Sequence, residues 1–424
     1  MNSSPASSAA SRREFIKTST ATTAAGVAAA EVIFPSLLRA APNSDKLRIG
    51  FIGCGGRGTG AASQALKADS NVELWAMGDA FPEPIERSLG ALKAAVKDEK
   101  KFNVNSDRKF VGLDAYEKVL KSGVDLVILT TPPGFRPGHL RAALEAGKHV
   151  FTEKPMATDA PGVRSVIESV KLAKQKNLAV VAGFCWRYDY AKRAVFEKML
   201  DGSIGDIRAV HGTYLTGPVK PMPMADTRPA GMSDLEWMTR NWYNFTWLSG
   251  DGLVEQAIHT VDWMMWAMKD KPPVKCTAVG GRQIPANGGN IFDHVSVNYE
   301  WENGARGFIA QRQITGCYGE NSFYALGTKG NAYIHRGAYT TDLNGQRNWK
   351  YEGPTPDMYQ VEHDELFASI RAGKPINNGD RMVTSTMAGI MGRMAGYTGQ
   401  QITWDMALNS KEEIAPQNLR DWNS

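Results

Sequence analysis

The sequence predicts a doubly wound parallel sheet with helices on both faces, joined to an α+β domain built on an open, mostly antiparallel sheet. Three observations carry this reading. Between residues 47 and 152 short apolar runs alternate with helical patterns, as parallel βαβ units require. From residue 207 the runs alternate apolar with polar residues between turn clusters such as Asn287-Gly288-Gly289 and Glu302-Asn303-Gly304, a pattern that suits antiparallel strands. A chain of 424 residues, 42% hydrophobic and 22% charged, with mean hydropathy of −0.33, has material for two cores at roughly 100–200 residues per domain. Disorder and fibrous architectures are excluded. The net charge of +5, from 49 basic and 44 acidic residues, contains no basic block long enough for a nucleic-acid surface.

The elements follow in order. Residues 1–40 are rich in Ser, Ala and Thr, and place Ser11-Arg12-Arg13-Glu14-Phe15-Ile16-Lys17 ahead of a weakly apolar run, Ala21 to Phe34, and the small pair Ala40-Ala41. This stretch resembles a twin-arginine export signal, matching S-R-R-x-F-x-K at every specified position. The resemblance implies a signal peptide over 1–40, passage through the twin-arginine translocase and a periplasmic destination. Because that route carries folded proteins, often with a cofactor already bound, it also implies a cofactor. Cleavage near Ala40 removes four cations and two acids, so the net charge falls from +5 to +3. No apolar run reaches the ~20 residues of a membrane span, and no stable membrane association is expected. Cys54, Cys185, Cys276 and Cys317 stand singly, which indicates no metal site and leaves buried free thiols or one bridge.

A first domain is expected over 45–160. Leu47 to Ile52 reads as a strand, followed at once by Gly53-Cys54-Gly55-Gly56-Arg57-Gly58 and an Ala-rich helix, Ala61 to Ala68. That is GxGxxG in the strand–turn–helix setting of a dinucleotide-binding Rossmann domain. Gly53 permits the tight turn, Gly55 and Gly56 let backbone approach a pyrophosphate, and Gly58 lets helix and strand pack closely. A second strand, Val72 to Met77, leads to Asp79, placed to accept hydrogen bonds from ribose hydroxyls. An acid there repels a 2′-phosphate and favours NAD over NADP, while Arg57 is either a contact near the adenosine or a solvated loop residue. A helix from Ala115 to Leu120, a strand from Val124 to Leu129 ending at Thr130-Thr131-Pro132-Pro133, a helix from His139 to Ala146 and a strand from His149 to Thr152 continue the alternation. Glu153-Lys154-Pro155 then sits at a strand's carboxyl end, where ligands of such sheets bind.

The segment Thr130-x-Pro132, His139, Ala146-Gly147-Lys148-His149-Val150-Phe151-x-Glu153-Lys154-Pro155 resembles the glucose–fructose oxidoreductase, inositol dehydrogenase and rhizopine-catabolism (Gfo/Idh/MocA) family, over about Leu47 to Trp404. The resemblance implies that Thr131, Pro132 and Glu153 help bind the cofactor. It also implies that Lys154 contacts both the nicotinamide ribose and the reacting hydroxyl. A positive nicotinamide and partial burial would lower that lysine's pKa toward working pH. His139 reads as a packing or loop-fixing residue.

A substrate domain is expected over 161–375, with a helix to Lys176, a strand from Leu178 to Phe184, and strands within 207–215, 275–284, 294–299, 307–314 and 322–327. For Arg187 and Tyr188, hydrogen bonding to substrate hydroxyls competes with a structural role. The family's motif here is an acid, then glycine two residues on, then histidine, then an acid three further. This chain has Glu255, Ala257, His259 and Asp262. On one helix Glu255, His259 and Asp262 line one face. Lys154 and His259 are the expected proton-handling pair, with Glu255 binding substrate or holding the pair in protonation register and Asp262 contacting substrate. Trp237, Trp242, Trp247, Trp263 and Trp266 offer sugar-stacking faces or core, with core favoured for Trp263 and Trp266. Residues 376–424 are expected to return a helix, Val383 to Tyr397, to the nucleotide domain. His363, between Glu362 and Asp364, reads as a solvated helix face.

The function expected is oxidation of a sugar or glycoside hydroxyl by a homo-oligomer whose NAD is held and reset in place. The alternative is a glycoside hydrolase that works by transient oxidation and elimination.

Overall fold

The computed structural model describes residues 45–285 and 288–416; the twin-arginine segment and the tail from residue 417 lie outside them. Six strands form a wholly parallel sheet in the order β3-β2-β1-β4-β5-β6: β1 Leu47–Ile52, β2 Val72–Asp79, β3 Lys109–Val111, β4 Leu126–Leu129, β5 His149–Thr152 and β6 Val180–Ala182. Their apolar runs are buried on both faces, as expected when helices cover both sides. The helices are α1 Gly56–Ala68, α2 Pro82–Val96, α3 Ala115–Lys121, α4 Arg136–Glu145 and α5 Ala160–Gln175. Helix α1 starts inside the glycine loop, five residues before its alanine run. Helix α2, which the sequence reading passed over, opens on Pro82 at a first-turn position where a missing N–H costs nothing.

Because β6 pairs with β5 in this sheet, the first domain runs past residue 160 and takes in α5 and β6, which corrects the expected boundary. The chain continues through a 3₁₀ turn, Cys185–Tyr188, into α6, Tyr190–Leu200. The second sheet has nine strands: β7 Ile207–Thr216, β8 Lys275–Gly281, β9 His294–Glu300, β10 Arg306–Gln313, β11 Glu320–Gly327, β12 Asn331–Ile334, β13 Ala338–Thr341, β14 Arg347–Lys350 and β15 Ile402–Thr403. Only β7 and β10 pair parallel, so the open and mostly antiparallel form is as expected. Short helices α7 Asp234–Arg240, α8 Thr246–Ser249 and α9 Gly252–Glu255 precede α10 Ile258–Ala267, which lies buried against the sheet.

Two C-terminal helices, not the expected one alone, reach the nucleotide domain. Helix α11, Met358–Arg371, packs on α1, tied by an Arg371 Nε–Asp69 ion pair of 2.7 Å. Helix α12, Gly379–Thr398, packs on α5, α10 and β8, joining the two domains. No helix of the described residues is long and apolar enough to cross a membrane. All four cysteines are free thiols, with Cys54, Cys185 and Cys276 buried and Cys317 exposed.

Candidate active site

The glycine loop after β1 forms the floor of a cavity of about 340 Å³ lined by Gly53, Gly55, Asp79, Thr131, Pro132 and His139. Gly53 has φ +92°, and a Cβ there would meet the Thr131 backbone N at 2.6 Å. A Cβ on Gly58 would lie 2.3 Å from the Gly53 carbonyl, which accounts for the close turn. Gly55 and Gly56 have nothing within 4 Å of that position, so the first turn of α1 is open to a phosphate. These features fit a dinucleotide. Asp79 lines the cavity, with one carboxylate oxygen accepting from Cys54 N at 2.6 Å and the other from Phe81 N at 3.0 Å. Burial raises its pKa. His139 stacks on Tyr116 and bonds the Thr131 hydroxyl at 3.1 Å, the loop-fixing role expected of it.

Of the expected cofactor residues, Gly56, Arg57, Gly58, Glu153 and Lys154 are not among those that line this cavity. Arg57 turns away from the loop: its Nε reaches Glu153 Oε1 at 2.5 Å, its Nη2 reaches Glu362 Oε1 at 3.3 Å, and its guanidinium lies over Tyr359. Two buried carboxylates thus hold a side chain that is itself 36% exposed. Glu153 is thereby committed to Arg57 and to the backbone N–H of Lys154. The face of α11 is not solvated, since Glu362 and His363 are fully buried beneath Arg57.

The expected reacting centre, Lys154 with Glu255 and His259, lies where β5 ends. Lys154, 8% exposed, donates from Nζ to Glu255 Oε1 at 2.8 Å and to the Glu255 carbonyl. Glu255 Oε2 accepts from Gln256 Nε2 at 2.6 Å, and Gln256 Oε1 accepts from the Tyr214 hydroxyl at 2.6 Å. The single helix expected from Glu255 to Asp262 is broken: α9 stops at Glu255 and α10 begins at Ile258. The break turns Glu255 toward Lys154, while His259 follows in the first turn of α10. Burial, then the Lys154 charge, hold His259 well below the ordinary imidazole pKa, so it is neutral. Its Nδ1 is buried without a hydrogen-bond partner, and its ring packs on Trp186 at 4.8 Å.

Three expected substrate residues are used otherwise. Arg187 grips Asp262 through Nε and Nη2, both at 2.8 Å, and also reaches Asp270; Ser385 donates to Asp262 Oδ1 at 2.7 Å. The Tyr188 hydroxyl accepts from Asn378 Nδ2 at 2.8 Å, with the ring fully buried. With their polar atoms mutually satisfied, Arg187, Tyr188 and Asp262 hold the domain junction and present nothing to a ligand. Trp263 and Trp266 are packed, Trp263 on Trp186 and Trp266 on Phe196, in agreement with core. Trp242 lines the dinucleotide cavity and Trp247 is buried beside Phe135.

The sequence reading missed Trp186, Tyr214, Gln311 and Gln313. For the glutamines a signal existed: on β10 they occupy inward positions two apart, continuing the line of Ile309, where a merely structural strand would place apolar residues. The two Gln311 amide atoms and Gln313 Nε2 are buried without partners.

A family model described as "Oxidoreductase family, NAD-binding Rossmann fold" matches residues 47–184, and one described as "GFO/IDH/MocA C-terminal domain" matches residues 193–333. The chain is 26% identical over 326 residues to an inositol 2-dehydrogenase of Rhizobium meliloti, covering 76% of this chain and 86% of that protein. Among solved structures it is similar to levoglucosan dehydrogenase complexed with NADH and levoglucosan, with a TM-score of 0.64 at 19% identity, covering 85% of this chain and 99% of the other. It is also similar to an aldose-aldose oxidoreductase from Caulobacter crescentus, with a TM-score of 0.65 at 18% identity, covering 85% and 100%.

Proposed function

The chain belongs to the Gfo/Idh/MocA oxidoreductase family, and from that premise we propose that it oxidises a hydroxyl of a sugar or glycoside with NAD held through turnover. One observation carries the reading. A buried ammonium, Lys154, is tethered to Glu255 beside a neutral imidazole, His259, whose Nδ1 has no partner. Unspent hydrogen-bonding capacity in a buried site asks for a polar ligand. The names of similar proteins, inositol 2-dehydrogenase and levoglucosan dehydrogenase, support a polyol or sugar in that role.

Bound NAD would supply the hydride acceptor, held by the glycine loop, Asp79, Thr131 and Pro132. The protein's own groups handle the proton. Neutral His259 accepts the hydroxyl proton as the alkoxide develops. An ammonium has three donors, and Lys154 spends two on Glu255, which leaves one to bind the substrate oxygen and stabilise its negative charge. Glu255, fixed by Gln256, sets the direction of that donor.

The twin-arginine motif supports work in the periplasm, and the carboxylate at Asp79, which repels a 2′-phosphate, supports NAD over NADP. With no obvious periplasmic supply of free NADH, the cofactor would be reset on the protein, by a second carbonyl substrate or within a redox-neutral cycle. Mass spectrometry of cofactor released from denatured protein, followed by incubation with glycosides, tests the reading. Near-stoichiometric NAD without a 2′-phosphate and a keto-sugar product are expected. Free aglycone without keto-sugar would make the protein a glycoside hydrolase, and nucleotide-free protein would overturn retention.

A further inference from the structure

Beside the reacting centre lies a second cavity of about 290 Å³. Its wall includes Gln313 and Tyr243, whose hydroxyl donates to Gln313 Oε1 at 2.9 Å. Gln313 Oε1 lies 3.4 Å from where a Cβ on Gly252 would stand, and Phe292 N, in the same wall, donates to Asp251 Oδ2 at 3.1 Å, so this wall abuts the start of α9, whose last residue is Glu255. Two cations line the same space. Lys220 Nζ donates only to the Arg240 carbonyl, and Arg282 spends Nε and Nη1 on the carbonyls of Ile284 and Ile291. Neither forms an ion pair with an acid among the described residues. Burial lowers the Lys220 pKa with no carboxylate to oppose it. The one acid in the wall, Asp293, is occupied by the backbone N–H groups of Gln283 and Ile284 and by His294 Nδ1.

The cavity therefore holds two cations with no acid paired to them, Lys220 and Arg282, and one buried donor without a partner, Gln313 Nε2. We propose that this cavity is a substrate subsite for a carboxylate, and that the sugar oxidised at Lys154 is a uronic acid or a uronide. The proposal rests on the reading of Lys154 as the centre of sugar oxidation and goes beyond it by naming the substrate class. Two cations against one acid leave a single positive charge, which matches a carboxylate monoanion better than a phosphate dianion. A planar carboxylate also suits the fork of Arg282.

Lys220 lines the dinucleotide cavity as well, so the test must separate a substrate anion from a cofactor phosphate. Wild-type holoenzyme, Lys220→Met and Arg282→Gln are titrated calorimetrically with methyl β-D-glucuronide and methyl β-D-glucoside, NADH affinity is measured by fluorescence, and turnover of both glycosides is followed. The wild type should bind the glucuronide about tenfold or more tightly than the glucoside, the scale of a charge-assisted hydrogen bond, and each variant should bring that ratio close to one. Arg282→Gln lies outside the dinucleotide cavity and carries the test if Lys220→Met does not fold. An absence of preference in the wild type overturns the proposal. So does a Lys220→Met protein that loses NADH affinity while both variants keep the wild-type ratio. Selective glucuronide binding without oxidation of either glycoside would sustain the subsite and sink the oxidation reading instead.

Discussion

Two buried ion pairs stand near the domain junction, both built from residues that the sequence nominates for the site, and they differ in what they leave unsaid to a ligand. Arg187 directs its guanidinium at Asp262 and Asp270, Ser385 completes Asp262, and Trp266 lies under the cation at 5.0 Å. Lys154 and Glu255 are almost as buried, yet the lysine keeps one donor and the neighbouring His259 keeps an unpartnered Nδ1. Charge and burial are therefore shared, and only satisfaction separates them. A closed network stabilises the fold, whereas an incomplete one is completed by substrate.

The sharpest way to break this contrast is to remove the cation from each pair. Lys154→Ala should lower kcat/KM for hydride transfer by roughly 10²–10⁴-fold, the usual reach of a proton-handling group, with rapid-mixing kinetics as the readout. Near-wild-type rates in both Lys154→Ala and His259→Ala would sink the assigned chemistry. Arg187→Ala leaves the buried Asp262 without a cation and with Asp270 nearby, and urea unfolding should show a loss of about 3–5 kcal/mol. If Arg187→Ala is instead fully stable and inactive, the two pairs exchange roles.

How much of this was legible in the sequence follows from the same contrast. The parallel sheet, the glycine loop and Lys154 were legible because each rests on local pattern: a period, a turn glycine, a strand end. Glu255 and His259 were legible as residues but not in geometry, since no local signal marks the break at Gln256 and Ala257 that turns Glu255 toward Lys154. The ion-pair partners of Arg57, Arg187 and Asp262 were not legible because they are distant in the chain. Glu362 lies 305 residues from Arg57, and Asp262 lies 75 from Arg187. Spacing along one element cannot reveal which charge a side chain will meet across the fold.

Acid should expose the next difference. His139 and His363 are held down to about 3 by burial, with like charge from Arg136 and Arg57 respectively. Each stays neutral when folded while its unfolded counterpart takes a proton near pH 6.5. Their stabilisation is complete above that pH and is lost as pH falls toward the folded value. His363 has no partner on either ring nitrogen and packs on Phe151 at 4.2 Å, so His363→Phe should preserve the packing. Between pH 6 and 4 the variant's stability should fall less steeply than wild type, by about 1.4 kcal/mol per pH unit. Parallel curves would mean that His363 is charged in the folded protein.

An effect of the same origin lies one residue away and has the opposite sign. Burial, then the Glu153 carboxylate, push the Glu362 pKa well above the ordinary range, and its Oε2 has no partner. A folded pKa above the unfolded one means that the contribution is complete below the unfolded value of about 4.3 and is lost as pH rises through the folded one. Glu153 and Glu362 share Arg57, so one guanidinium offsets the charge of one acid and the proton serves the other. Glu362→Gln replaces that proton with a permanent neutral group of the same shape. Relative to wild type the variant should gain stability as pH rises from 5 toward the folded pKa, by up to about 1.4 kcal/mol per pH unit in paired urea titrations. A difference that shrinks with pH would mean that both carboxylates are ionised around Arg57, and that this cluster, like Arg187 with its two aspartates, is a fully charged clamp.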